Sequence, residues 1–77
     1  MQIVKMTPGS ECPRKGDLVL IQGTITADRV EPYRVALVKD MPDGPEIILN
    51  RRRNVWFDWR KYLAGQSWVT DCRVVLP

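Results

Sequence analysis

Apolar and polar residues alternate with a period of two along most of the chain, and short clusters of Gly, Pro, Asn and Asp interrupt the alternation. In YRVALVKD, Tyr33, Val35 and Leu37 fall on one face and Arg34, Ala36 and Val38 on the other, which predicts a strand with its Tyr33 side inward. MPDGP follows, with Pro42 and Asp43 suited to the central positions of a type I turn and Gly44 next, and EIILN resumes the apolar pattern. Tyr33 to Asn50 therefore reads as a β-hairpin. Upstream, the turn-rich Pro13 to Gly16 leads into DLVLIQGTIT, a strand from about Leu18 to Thr26 in which Gly23 marks a bulge or a bend. At the other end, SWVTDCRVVLP predicts a final strand with Trp68, Thr70, Cys72, Val74 and Leu76 on one face and Val69, Asp71, Arg73 and Val75 on the other. The opening IVKM reads as a short edge strand stopped by Thr7, Pro8 and Gly9.

One segment carries two periods at once. In VWFDWRKYLAG, Trp56, Trp59 and Leu63 recur at helical spacing, with Asn54 placed to cap the N-terminus and Gly65 to end the helix in a left-handed conformation. This predicts a short helix near residues 55–64. The same aromatic residues also suit a strand, with Ala64 and Gly65 turning residues 55–63 back onto residues 66–75.

Four or five short strands, a kinked glycine and one short helix predict a mainly β fold, a small antiparallel barrel or half-barrel occupying residues 1–77 as a single domain. The stretch PRKGDLVLI followed by YRVALV resembles the opening of SH3-like small barrels, where a Gly-Asp pair launches the first long strand. It is also similar to the start of the toxin ribonucleases of bacterial toxin-antitoxin modules, a likeness confined to those strands that transfers no catalytic residue. What the resemblance implies is an SH3-like fold.

Size sharpens this picture. A chain of 77 residues buries only about 60% of its unfolded surface. Its core must be nearly complete, and a partner that covers leftover apolar surface adds stability. The outward positions Ala36, Val38, Val69 and Val75 are candidates for such an interface, so a homo-oligomer is expected. No apolar run approaches the roughly 20 residues of a membrane span, and MQIVKM lacks a secretion signal; a cytoplasmic location is expected. Cys12 and Cys72 then read as free thiols, with a disulfide between them as the alternative.

The search for chemistry is short. The chain has no histidine, and two cysteines alone cannot complete a zinc site unless a dimer shares one, so neither metal nor cofactor is expected. The nine acidic residues sit singly, and the five glycines form no phosphate-cradling loop, so no catalytic residue is assigned. Charge is more informative. Residues 1–46 carry six basic and seven acidic side chains, whereas residues 47–77 carry six basic and two acidic. Much of that excess lies in NRRRNVWFDWRK. Arg51, Arg52, Arg53, Arg60 and Lys61 can meet phosphates, and an exposed Trp56 or Phe57 can stack on bases, while Trp59 and Trp68 read as core. The expectation is a non-enzymatic binding module for nucleic acid. A protein-interaction or self-assembling accessory protein, for example of a mobile element, is the alternative, and a small enzyme built at an oligomer axis is the remote one.

Overall fold

The computed structural model describes residues 2–50 and 55–77. They form β1 (Gln2–Lys5), β2 (Leu18–Gly23), β3 (Glu31–Met41), β4 (Gly44–Asn50), β5 (Val55–Asp58), α1 (Trp59–Leu63) and β6 (Val69–Leu76). The six strands make one antiparallel sheet in the order β1-β6-β2-β3-β4-β5. The sheet is not closed: β1 and β5 are its outer strands, so the chain is mainly β with six strands rather than four or five.

The expected hairpin is present. β3 and β4 pair from Arg34–Asn50 to Met41–Gly44, Pro42 and Asp43 form the two-residue connection, and Gly44 takes φ +110° as the chain re-enters the sheet. The lead into β2 is fixed by Asp17, whose carboxylate accepts from the Arg14 amide at 2.9 Å while Gly16 adopts φ +91°. The opening segment is the short edge strand expected, paired with β6.

Two irregularities change which residues face inward. Val35 pairs with Leu49 and Leu37 with Ile48, which leaves Ala36 as an extra residue on β3. The alternation slips by one there. Leu37, expected inward, is 42% exposed, and Val38, expected outward, packs against the core. On β6 the register passes from Gln22–Asp71 to Gly23–Val69, so Thr70 is skipped and Val69 turns inward. At 2% exposure Val69 is core and is not available as an interface residue. The same shift realises the bulge expected at Gly23, where any Cβ would strike the Trp68 carbonyl.

The segment of double period divides at Asp58. Residues 55–58 are a strand on the edge of β4, and only residues 59–63 are helical. Helix α1 is capped by Asp58, whose carboxylate accepts from the Arg60 and Lys61 amides, and not by Asn54, which lies outside the described residues. Gly65, at φ +73°, follows the helix as expected.

The core is lined by Val19 and Ile21 of β2, Tyr33 and Val35 of β3, Ile47 and Leu49 of β4, Phe57 of β5, and Cys72 and Val74 of β6. Trp59 and Tyr62 of α1 cover it. Phe57 is the hub, with its ring centroid 6.5 Å from Trp59, 5.9 Å from Tyr62 and 6.3 Å from Trp68. The Tyr62 hydroxyl donates to the Met6 carbonyl at 2.7 Å. Met6 follows β1 and Tyr62 follows β5, so the sheet coils far enough for its two ends to be bridged by one side chain.

Candidate functional site

Alternation on β5 decides what the molecule displays. Phe57 points inward at 1% exposure, so Trp56 must point outward, and it is 56% exposed. The register places Trp56 opposite Ile48 and Ile48 opposite Leu37, an apolar row across three strands on the side of the sheet away from the core. A second outer row runs Ile3, Val75, Leu18 across β1, β6 and β2. Of the expected interface residues, Val75 is half-buried in that row, and Ala36 is half-buried at the β3 bulge.

Beside Trp56 lies an apolar depression of about 310 Å³ lined by Ile25, Val55, Trp56, Phe57 and Trp68. Its walls come from three parts of the chain. Trp68 precedes β6 and is locked in place: its indole N–H donates to the Trp56 carbonyl at 2.9 Å, and its ring meets Phe57 edge-on at 84°. Ile25, 57% exposed, sits on the tight loop after Gly23. There the Thr24 amide donates to the Trp68 carbonyl at 3.1 Å, and the buried Thr26 hydroxyl both donates to the Gly23 carbonyl and accepts from its amide. Ala27 and Asp28 close the loop at φ +54° and +60°, and the exposed Arg29 follows.

Arg60 and Lys61 sit together at one end of the sheet. Arg60 lies over Gly44, where its side-chain carbons and Nε would be within 2.8 Å of an added Cβ, and with Lys61 it borders Asp43 and Asp58 at the hairpin turn. Asn50, after which Arg51, Arg52 and Arg53 follow in sequence, is at the other end of β4. Seven strand residues separate these ends by about 20 Å. Arg51, Arg52 and Arg53 lie outside the described residues, and of the five expected cations the structure describes Arg60 and Lys61. Trp56 pairs with Ile48, between the two ends.

Asp71 is paired with Arg73 at 3.0 Å and Lys5 at 3.6 Å. A larger depression of about 410 Å³ lies against β1 and β6 under the loop that carries Glu11, Cys12 and Arg14. Its thiol is no nucleophile near neutrality, because burial and then the charge of Asp40 push Cys12 up to about 11. Burial, followed by Asp71 and Cys12, pushes Cys72 to about 12, and the two cysteines are free thiols. Among the described residues no group of three or more His, Cys, Asp or Glu side chains could hold a metal.

The sequence pointed to Trp56, and it missed Ile25, Leu37, Ile48 and the bracing role of Trp68. Leu37 was hidden by the bulge at Ala36. Ile25 falls in a loop whose exposure follows from two left-handed non-glycine residues that no composition rule anticipates. No helix among the described residues is long and apolar enough to cross a membrane. No family model matches the chain, and no curated protein or solved structure matches it either.

Proposed function

We propose that the chain is a non-enzymatic nucleic-acid-binding module of the cytoplasm, built on an SH3-like half-barrel. One observation carries the reading: Trp56 stands 56% exposed on the outer face of β5, and the arginine run Arg51, Arg52 and Arg53 immediately precedes that strand in the sequence. An aromatic side chain costs solvation when left in water and returns about 1–3 kcal/mol per stacked base. Cations supply the phosphate contacts. Arg60 and Lys61 border the hairpin turn at the Gly44 end of β4, and the arginine run follows Asn50, the last residue of that strand, in the sequence.

The test is fluorescence anisotropy with labelled oligonucleotides across a salt series. Binding is expected at low salt, and replacing Arg51, Arg52 and Arg53 together with alanine lowers the slope of log affinity against log salt by about 2–3. Absence of binding to every oligonucleotide at low salt overturns the reading.

The outer apolar rows, Leu37–Ile48–Trp56 and Ile3–Val75–Leu18, favour a second reading, a protein-interaction or self-assembling module. In that case Leu37→Lys dissociates an oligomer seen by light scattering at micromolar concentration. A monomeric mass for the unaltered chain removes self-assembly.

A further inference from the structure

We infer that the nucleic acid is recognised as a single strand, with one unpaired base seated in the apolar depression between Trp56 and Trp68; this rests on the nucleic-acid reading above. The depression is lined by five apolar side chains, three of them aromatic, and among the described residues no charged group lines it. Its volume of about 310 Å³ accommodates one flat ring system.

The wall is preformed. The indole bond from Trp68 to the Trp56 carbonyl, the edge contact with Phe57, and the close approach of Gly23 to the Trp68 backbone and ring leave Trp68 no room to turn. A base entering such a site meets a fixed ring and loses little affinity to reordering. Trp56 and Ile25, both more than half exposed, form the movable lips.

Basic residues lie next to the slot's lining segments in the sequence. Arg29 is exposed four residues beyond Ile25 on the same loop, and the Arg51 to Arg53 run leads in sequence into Val55, which lines the slot. Uncharged π surface within, and the exposed Arg29 guanidinium on the loop that carries Ile25, match a base with its phosphodiester. A duplex keeps its bases stacked in pairs and cannot offer one edge-first to a slot without unpairing, which costs a few kcal/mol. The same cations can still hold the duplex by its phosphates, so the slot confers a preference for single strands.

The experiment compares a short oligothymidylate with a blunt duplex of equal phosphate count, read by anisotropy and by quenching of intrinsic tryptophan fluorescence. The single strand is expected to bind more tightly and to quench. Trp56→Ala and the charge-neutral Ile25→Ser each weaken single-strand binding by about 5- to 150-fold and leave duplex binding unchanged. Both replaced side chains are largely exposed, and circular dichroism checks that the variants fold. Equal affinity for both ligands, with no effect of either variant, overturns the slot while leaving the nucleic-acid reading in place. Failure of both ligands to bind overturns that reading and the slot together. Quenching by an acidic, tryptophan-bearing peptide but by no oligonucleotide reassigns the slot to a protein partner and overturns the inference.

Discussion

Two small residues four positions apart, Gly23 and Ala27, respond in opposite ways to exchange. At Gly23 a Cβ would meet the carbonyl and ring of Trp68, so the backbones approach as closely as they do only because the side chain is absent. Gly23→Ala is expected to cost at least about 2 kcal/mol, seen as a fall in the urea midpoint, because backbone has to move. Gly9→Ala, with nothing near the added methyl, is the control and changes stability by less than about 0.5 kcal/mol. Ala27 holds φ +54°, a conformation that costs an ordinary residue about 1–2 kcal/mol and glycine almost nothing. Ala27→Gly should therefore add up to about 1 kcal/mol of stability, seen as a higher urea midpoint, in spite of the extra chain entropy of glycine. A destabilised Ala27→Gly would mean that the loop does not hold its left-handed turn. Sequence reasoning found Gly23, because a glycine inside a β-branched run is itself a signal. It had no means of finding Ala27, where the conformation is imposed by the Thr26 hydrogen bonds to Gly23 and the Thr24 bond to Trp68.

At the scale of elements, the legible parts were those whose signals were local. The β3–β4 hairpin has its turn residues and its alternation on one continuous stretch, and β1 has its stop residues directly after it. The segment from Val55 to Leu63 was ambiguous because its aromatic residues satisfy both periods. What decides it is tertiary: Phe57 lies opposite Ile47 and Val55 opposite Leu49, so the first four residues extend the sheet before the helix begins. The bulge at Ala36 was illegible for a related reason, since an inserted residue shifts the phase of a strand without changing its composition; at Gly23 the irregularity was signalled, but not that its extra residue is Thr70 on β6. A helix of five residues cannot sustain itself and depends on its cap and on burial of Trp59 and Tyr62. Asp58→Ala should accordingly cost about 1 kcal/mol. Asp58→Asn should cost little, because asparagine caps as well and removes the like charge that Asp58 places opposite Glu46 across β4 and β5. Equal losses for the two variants would show that the carboxylate contributes by charge and that capping is not its role.

The whole molecule is held in its coil by contacts between parts distant in sequence. Trp68 closes on the Trp56 carbonyl at one side, and Tyr62 closes on the Met6 carbonyl at the other. Weakly acidic groups are gathered behind that second closure. Tyr62 is held above its ordinary value by burial first, then by the charges of Cys72 and Asp71. Cys72, fully enclosed beneath it, is pushed to about 12, and Cys12 to about 11. Each is an acid that folding keeps protonated, so the folded chain binds more protons than the unfolded one once the pH exceeds the thiols' ordinary value of 9.0. Their contribution is complete below pH 9 and is lost as the pH climbs toward 11 for Cys12 and 12 for Cys72. The urea midpoint should therefore be level up to about pH 9 and fall steadily above it. Cys72→Ala tests the assignment: it removes a buried side chain and lowers the midpoint at every pH, yet its decline above pH 9 should be shallower than that of the unaltered chain. Parallel declines would place the alkaline sensitivity elsewhere and would mean that Cys72 is not sealed from solvent behind the Tyr62–Met6 closure.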